Sequence, residues 1–352
     1  MIRHPEPVEC GSATGVDRRR RPRYDPGLRA GVAPVLRAAL GKAVETTIAA
    51  AKRQTVSLVL GSGGARGLTH IGIIRWLEEN GFAIQSIAGC SIGALIGGVY
   101  AAGKLAETEQ WLRAVTKLDI LALMDLSWQK SGVLRGDKLI GMLADLIGGK
   151  SIEELPISYT AVATDISAHK EVWIRRGDLF SAIRASISIP ILFTPFRYKD
   201  MDLVDGGLLN PVPIAPTFGD GTDLTIAVNL GGAPCLPVPP RRPATVPVRP
   251  AAALHEKISL FIDRLQPATR KTSEHDWGAY QILLRSFDTM QSAIARHQLA
   301  AYPPDVVIEM PNNICQTLEF DRAAEMIDLG YRRAQECLAN HVAGPPSSAN
   351  AV

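Results

Sequence analysis

Residues 55–81 read TVSLVLGSGGARGLTHIGIIRWLEENG, and this stretch decides the fold class. Thr55–Leu60 is a short apolar run of the length typical of a buried strand. The glycine-rich GSGGARG at 61–67 follows it, and the spacing of Ile71 and Ile74 then predicts a helix. Strand, glycine loop and helix form the first unit of an α/β protein.

A second unit repeats this order in IQSIAGCSIGALIGGVYAAG at 84–103. The pattern predicts a strand over 84–89, a sharp turn at 90–92 and a helix of small residues after it. The further predicted elements are strands at 158–164, 171–174, 224–230 and 305–310 and a final helix at 320–340. Alternating strands and helices predict a layered α/β sheet.

Residues 80–103 carry no charged side chain, and that length would span a bilayer. We reject a membrane span because Gly81 and Gly89 break the segment and six glycines dilute its hydrophobicity. A strand, a tight turn and a buried helix explain the stretch better.

Composition predicts a globular cytoplasmic protein. The 352 residues are 46% hydrophobic and 21% charged, and a net charge of +3 gives no reason to expect a nucleic-acid partner. The five cysteines are scattered without a CxxC pair, which argues against a disulfide framework and a zinc site. The N-terminus has no apolar signal-peptide core. We expect neither a metal nor another cofactor.

The chain divides into three predicted parts: a tail with an amphipathic helix (1–54), a catalytic domain (55–340) and a disordered tail (341–352). The helix carries one apolar stripe: Leu36, Leu40, Val44 and Ile48. Docking on the domain is favoured over a membrane-surface anchor because the polar face also carries Glu45 and two threonines.

A proline-rich loop lies within the catalytic domain at 234–250, where seven prolines in seventeen residues exclude a helix or a central strand. Two amphipathic segments follow, with apolar positions Ile258, Phe261, Ile262 and Leu265, then Tyr280, Leu283, Phe287, Met290 and Ile294. A cap over the active site and a docked helical pair both fit this excursion.

Gly89-Cys90-Ser91-Ile92-Gly93 is a Gly-x-Ser-x-Gly motif placed where a strand turns into a helix. Such an elbow holds its serine in a strained conformation, and the flanking glycines leave room for the crowded backbone. The motif therefore predicts Ser91 as a nucleophile.

The glycines of the loop from Gly61 to Gly67 can aim successive N–H groups at one point and bind an anion. A nucleotide fits poorly, because the P-loop lysine is absent and Arg66 stands where the Rossmann fingerprint needs a glycine. An oxyanion hole is the more coherent interpretation.

A nucleophilic serine needs a base, yet none of the seven histidines has a recognisable triad context. Asp205-Gly206-Gly207 is more suggestive, because it follows the polar and apolar alternation of FRYKDMDLV at 196–204 and so lies just beyond a strand end. Two glycines there allow the carboxylate to approach another loop closely.

In this order, GxGGxRG, GxSxG and DGG resemble the patatin-like phospholipase family, especially its small bacterial single-domain members. The likeness runs from about Thr55 to Pro213. It implies a three-layer α/β/α fold with a central, mostly parallel sheet. It also implies that Ser91 attacks an ester carbonyl, that Asp205 accepts the proton directly, and that the backbone at Gly63 and Gly64, supported by Arg66, holds the oxyanion.

Two details qualify the resemblance. Ser62 stands where many members have a glycine, but its backbone N–H is kept. The segment ASISIP at 185–190 recurs in the family and is expected to be scaffold near the site, while Cys90 is expected to point into the core.

The resemblance implies a lipid or fatty-acyl ester substrate and, from that substrate class alone, peripheral membrane contact. Head group, acyl length and oligomeric state stay open. Candidates for an apolar channel, all of which could equally be core, are Leu68, Ile187, Ile189, Ile191, Leu192 and Phe193. The rival functions are a Ser-His-Asp esterase with a histidine after residue 250, a regulatory protein with a vestigial site, and a nucleotide-binding module.

Overall fold

The computed structural model describes residues 53–116, 119, 137–190, 192–235 and 279–342. Several predicted features lie outside these residues: the N-terminal tail with its amphipathic helix, most of the proline-rich loop, the apolar segment at 258–265 and the C-terminal tail from 343.

The described residues contain eight strands and seven α-helices. The strands are β1 Gln54–Leu60, β2 Phe82–Cys90, β3 Ser158–Asp165, β4 Lys170–Ile174, β5 Phe196–Tyr198, β6 Met201–Asp205, β7 Leu224–Gly232 and β8 Val306–Pro311. The helices are α1 Thr69–Glu79, α2 Ile92–Ala101, α3 Leu105–Ala114, α4 Asp137–Ile147, α5 Leu179–Ser186, α6 Ala279–Ala301 and α7 Ala323–Leu338.

The strands form one sheet in the order β5-β6-β3-β2-β1-β7-β8, with β4 also paired to β3. Strands β3, β2, β1, β7 and β8 are parallel, whereas β4, β5 and β6 enter through antiparallel pairs. The carboxyl ends of the five parallel strands therefore lie along one edge. In open α/β sheets, ligands bind at this edge.

Side-chain alternation along β1 shows why the sheet is covered on both faces. Leu58 and Leu60 are buried in the larger core, which includes residues of α1, α2, α5 and α7. Val59 points the other way, into a smaller core with Val212 and Ala295 of α6. The predicted three-layer α/β/α architecture is confirmed.

The stretch at 80–103 contains all of β2, a turn and the ten-residue helix α2, as predicted. Within the described residues, no helix combines the length and apolar character that crossing a bilayer requires.

The alternation at 196–204 is a hairpin and not a single strand. Strands β5 and β6 are joined at Lys199-Asp200, and Lys199 adopts a positive φ of 54°. A two-residue turn preserves the alternation, so the pattern alone could not reveal it. Strand β6 pairs with β5 on one side and with only the last residues of β3 on the other, and its final residue Asp205 lies opposite Ala163. This register brings an antiparallel strand to the same edge of the sheet.

Helices α1 and α7 cross at two glycines. A Cβ atom on Gly72 would lie 1.9 Å from the Ile327 carbonyl oxygen, and one on Gly330 would lie 2.0 Å from the Thr69 carbonyl oxygen. Side chains at these two positions would keep the helices apart, so the glycines permit the close packing.

We expect Gly330→Ala to lower the free energy of unfolding by about 2 kcal/mol, because the added methyl group overlaps a backbone atom that cannot yield. The matched control is Gly141→Ala in α4, where a Cβ would meet no atom of the described residues within 4 Å. Alanine there should raise the free energy of unfolding by up to about 1 kcal/mol through helix propensity. Urea unfolding measures both, and equal effects would contradict the packing argument.

Candidate active site

Ser91 occupies a strained turn between β2 and α2. Its φ of 56° and ψ of −124° lie in a region that residues other than glycine rarely adopt. The neighbouring glycines are sterically required, since a Cβ on Gly93 would lie 2.0 Å from the Leu60 carbonyl oxygen and one on Gly89 would lie 2.5 Å from the Gly93 carbonyl oxygen. The backbone thus places Ser91 at the N-terminus of α2, at the positive end of the helix dipole.

The segment at 185–190 holds the backbone of this turn. The Ser91 N–H donates to Ser186 Oγ at 2.9 Å, and the Ser186 hydroxyl donates to the Val162 carbonyl at 2.6 Å. The carbonyl of Ser188 accepts from the Asp205 N–H at 2.9 Å. Both serines are fully buried, so their role is to anchor backbone, as the sequence predicted.

The Asp205 side chain is fully buried and held at one oxygen. Its Oδ1 accepts from the Gly207 N–H at 2.7 Å and from the Cys90 thiol at 3.9 Å. Its Oδ2 has no partner at full hydrogen-bond distance within the described part of the chain. Burial raises the pKa of Asp205 to about 7, against the smaller lowering effects of the Ser91 side chain, the Gly207 N–H and Cys90. The Ser91 side chain therefore lies near enough to this carboxyl to affect its pKa.

Cys90 is buried, as expected, but it does more than fill the core. Burial and the nearby Asp205 carboxylate raise its pKa well above the usual range of a thiol. The thiol therefore keeps its proton at neutral pH and can donate to Asp205 Oδ1. No sequence pattern predicted this contact.

Two consecutive N–H groups of the glycine loop have no acceptor among the residues that the structure describes. The N–H groups on either side, of Ser62 and Ala65, donate to backbone carbonyls at 2.8 and 2.9 Å. Those of Gly63 and Gly64 have no backbone acceptor within the described ranges. Gly64 has a φ of 59°, and a Cβ there would lie 2.5 Å from the Thr317 carbonyl oxygen. Only glycine suits this position.

Arg66 is buried and fixes the direction of the loop. Its Nε donates to the Gly63 carbonyl at 3.1 Å, while its other nitrogens donate to the Asn312 carbonyl at 2.7 Å and to Asp288 Oδ1 at 3.0 Å. In a trans peptide the carbonyl and the following N–H point in opposite directions. By holding the Gly63 carbonyl, Arg66 therefore orients the Gly64 N–H.

The remaining motif glycines lie where the loops pack against their neighbours. A Cβ on Gly67 would lie 2.2 Å from Ile92 Cγ2, and one on Gly61 would lie 2.6 Å from a β7 carbonyl oxygen. A Cβ on Gly206 would lie 2.1 Å from the Val162 carbonyl oxygen. The structure thus brings the three sequence motifs together at one edge of the sheet.

The described histidines do not pair with Ser91 or Asp205. His70 is buried with Nε2 2.9 Å from the Gly61 carbonyl oxygen, and burial lowers its pKa to about 4, so the ring is neutral and supports the glycine loop. The other described histidines, all exposed, are His169, His297 and His341. Three lie outside the described residues: His4, His255 and His275.

Helix α6 supplies two polar residues that the sequence analysis missed. Asp288 pairs with Arg66, and the buried Gln291 lies beside Ser62 Oγ. The helix packs on β7 and on the turn at Gly206–Leu208. Residues 279–301 are therefore docked against the catalytic domain.

The predicted apolar stripe of α6 is wrong in part, because Leu283 and Met290 are each 52% exposed. Gln291 and Ala295 lie on the buried side of the helix instead, so the apolar pattern did not identify the inward face.

The strain at Ser91 predicts an order of stability between two variants that both lack the hydroxyl. Ser91→Gly should be more stable than Ser91→Ala by about 1 kcal/mol, because glycine releases backbone strain that exceeds its entropic cost. Urea unfolding of the two variants side by side measures the difference. An alanine variant as stable as the glycine variant would show that the turn is unstrained.

The raised pKa of Asp205 predicts a pH-dependent stability. Because the folded state binds this proton more tightly than the unfolded state, its contribution is present at low pH and is lost as pH rises from about 4 to about 7. Asp205→Asn should therefore raise the melting temperature more at pH 8 than at pH 5. The matched control is Asp200→Asn, at an exposed residue of the β5–β6 turn. If Asp205→Asn raised the melting temperature equally at pH 5 and pH 8, the result would contradict the burial argument.

A patatin-like phospholipase family model matches residues 58–218. An uncharacterized NTE family protein of Mycobacterium tuberculosis is 40% identical over 327 residues, covering 80% of this chain and 91% of that protein. Human patatin-like phospholipase domain-containing protein 6 is 33% identical over 184 residues, covering 50% of this chain and 13% of that protein.

Among solved structures, VipD from Legionella pneumophila has a TM-score of 0.40 and 16% sequence identity, over 82% of this chain and 67% of that one. The mycobacterial relative matches over most of both chains, and the resemblance seen in the sequence motifs is confirmed. This chain belongs to the patatin-like phospholipase family.

Proposed function

We propose that this protein is a serine acyl-ester hydrolase that releases fatty acid from lipid through a Ser91–Asp205 dyad. The carrying observation is the fully buried Asp205 carboxyl, whose pKa is raised to about 7 beside the strained Ser91. Membership of the patatin-like phospholipase family supports lipid as the substrate class. The unused N–H groups of Gly63 and Gly64 support acyl transfer as the chemistry.

In the first step, Ser91 Oγ attacks the ester carbonyl carbon and its proton passes to Asp205 Oδ2. An ordinary carboxylate is a weak base for a hydroxyl, and burial strengthens this one. The carbonyl oxygen becomes an oxyanion that accepts from Gly63 and Gly64. Each such preorganised donor is worth about 2.7–4 kcal/mol. Collapse then breaks the ester bond, and the alcohol leaves with the proton from Asp205.

In the second step, water attacks the acyl-enzyme carbonyl while Asp205 accepts the water proton. A second oxyanion forms in the same hole. Its collapse breaks the bond to Ser91 Oγ, which recovers its proton, and the fatty acid leaves. Arg66 makes no contact with the reacting atoms in this scheme. It holds the Gly63–Gly64 peptide in place through the Gly63 carbonyl.

The acyl chain needs an apolar surface, and the predicted channel residues divide into two groups. Leu68, Ile187 and Leu192 are buried, so they serve the core. Ile189 and Phe193 are half-buried and remain candidates for acyl contact, whereas Ile191 lies outside the described residues.

The first test is hydrolysis of p-nitrophenyl octanoate, with fluorophosphonate labelling in parallel. Ser91→Ala and Asp205→Asn should each lower kcat by at least about 10³-fold, because each removes a group that acts on the reacting atoms. Labelling should be lost in Ser91→Ala. The matched controls are Ser286→Ala and Asp200→Asn, both at exposed residues, which should keep wild-type turnover.

Other outcomes would redirect the proposal. Turnover surviving in Asp205→Asn would assign the base to another residue, and single replacements of His255 and His275 would then identify a Ser-His-Asp esterase. A wild-type protein with neither turnover nor labelling would instead favour a binding or regulatory role.

A further inference from the structure

Gln291 occupies an unusual place for an amide: it is buried, at 7% exposure, between two loops of the site. Its Nε2 lies 3.2 Å and its Oε1 3.5 Å from Ser62 Oγ, and Ser62 begins the run that leads into Gly63 and Gly64. A buried amide is stable only with hydrogen-bond partners, so the Ser62 hydroxyl and Gln291 are chemically matched.

The same amide packs against the turn that carries Asp205. A Cβ on Gly207 would lie 2.1 Å from Gln291 Nε2, 2.8 Å from Ser62 Oγ and 3.0 Å from Asp205 Oδ1. Three polar atoms thus lie within 3.0 Å of the position that a Cβ at residue 207 would occupy. The N–H of that glycine holds Asp205 Oδ1 at 2.7 Å. A displacement of Gln291 would therefore shift the Gly207 turn and, with it, the Asp205 carboxylate.

The sheet does not connect the two loops directly. The glycine loop follows β1 and Asp205 ends β6, and two strands, β2 and β3, lie between them in the sheet. No shared ladder joins them, and their backbone connection is the hydrogen bond from the Ser62 N–H to the carbonyl of Pro211, four residues after Gly207, at 2.8 Å. Helix α6 spans the gap, with Asp288 on Arg66 and Gln291 one turn later on Ser62 and Gly207.

We propose that Gln291 is a positioning residue that couples the oxyanion loop to the Asp205 turn through Ser62 and Gly207. This inference rests on the proposed function. Catalysis needs the oxyanion donors and the base in register on one ester, and a misplacement of about 1 Å costs about 10²-fold in rate. Helix α6 is thereby part of the catalytic apparatus and not only a cover for the sheet.

The test is a double-mutant cycle with Ser62→Ala, Gln291→Met and the double variant. Methionine keeps the length of the side chain and removes the amide. We expect each single change to lower kcat for p-nitrophenyl octanoate by about 10-fold or more with KM nearly unchanged, because only the register of the site is lost. The double variant should be no slower than the slower single variant. The control is Thr289→Ala, on the exposed side of α6, which should match wild type.

A third variant separates positioning from simple stability. Gln291→Glu places a carboxylate near Asp205, and like charges raise a pKa. In Gln291→Glu, the acid limb of the pH profile of kcat/KM should move to higher pH by about one unit. The inference would be overturned if the two single losses in kcat multiplied in the double variant, or if the acid limb of the pH profile stayed where it is in the wild type. Either result would leave the proposed function intact. Absence of turnover in the wild type, with Ser91 unlabelled, would overturn the proposed function and this inference with it.

Discussion

A carboxyl group without access to water has to be held by the chain around it, and Asp205 sets this constraint here. Its Oδ1 is held by the Gly207 N–H and the Cys90 thiol, while Oδ2 accepts no hydrogen bond within the described residues. The asymmetry gives the group two roles at once. One oxygen fixes the carboxyl in place, and the other stays available as an acceptor.

The backbone around Asp205 brings three strand ends close together. The β5–β6 hairpin delivers Asp205 to the end of β3, where Cys90 of β2 lies one strand away. The carboxyl ends of β1, β2 and β6 can meet only because glycines stand where a side chain would strike backbone, as at Gly93 and Gly206. Close approach, and not flexibility, explains the glycine content of the motifs.

Helix α6 adds a layer of control from a distant part of the chain. Through Asp288 it supports Arg66, which orients the Gly64 N–H, and through Gln291 it reaches both Ser62 and Gly207. Hydrogen bonds and packing contacts of this kind set distances between loops that the sheet leaves independent. The site is therefore built from the edge of the sheet on one side and from a helix on the other.

The sequence by itself determined the strand, glycine loop and helix at 55–81, the elbow around Ser91 and a layered α/β sheet, because apolar periodicity and glycine spacing are local properties of the chain. The three-layer, mostly parallel arrangement was implied by the family resemblance. It could not reveal the hairpin at 196–204, since a two-residue turn preserves alternation. Tertiary structure alone decided the contact of Cys90 with Asp205 and the bridge from Gln291 to Ser62. The residues in these two contacts are 115 and 229 positions apart in the sequence. Tertiary packing brings them together, and no local sequence pattern predicts such contacts.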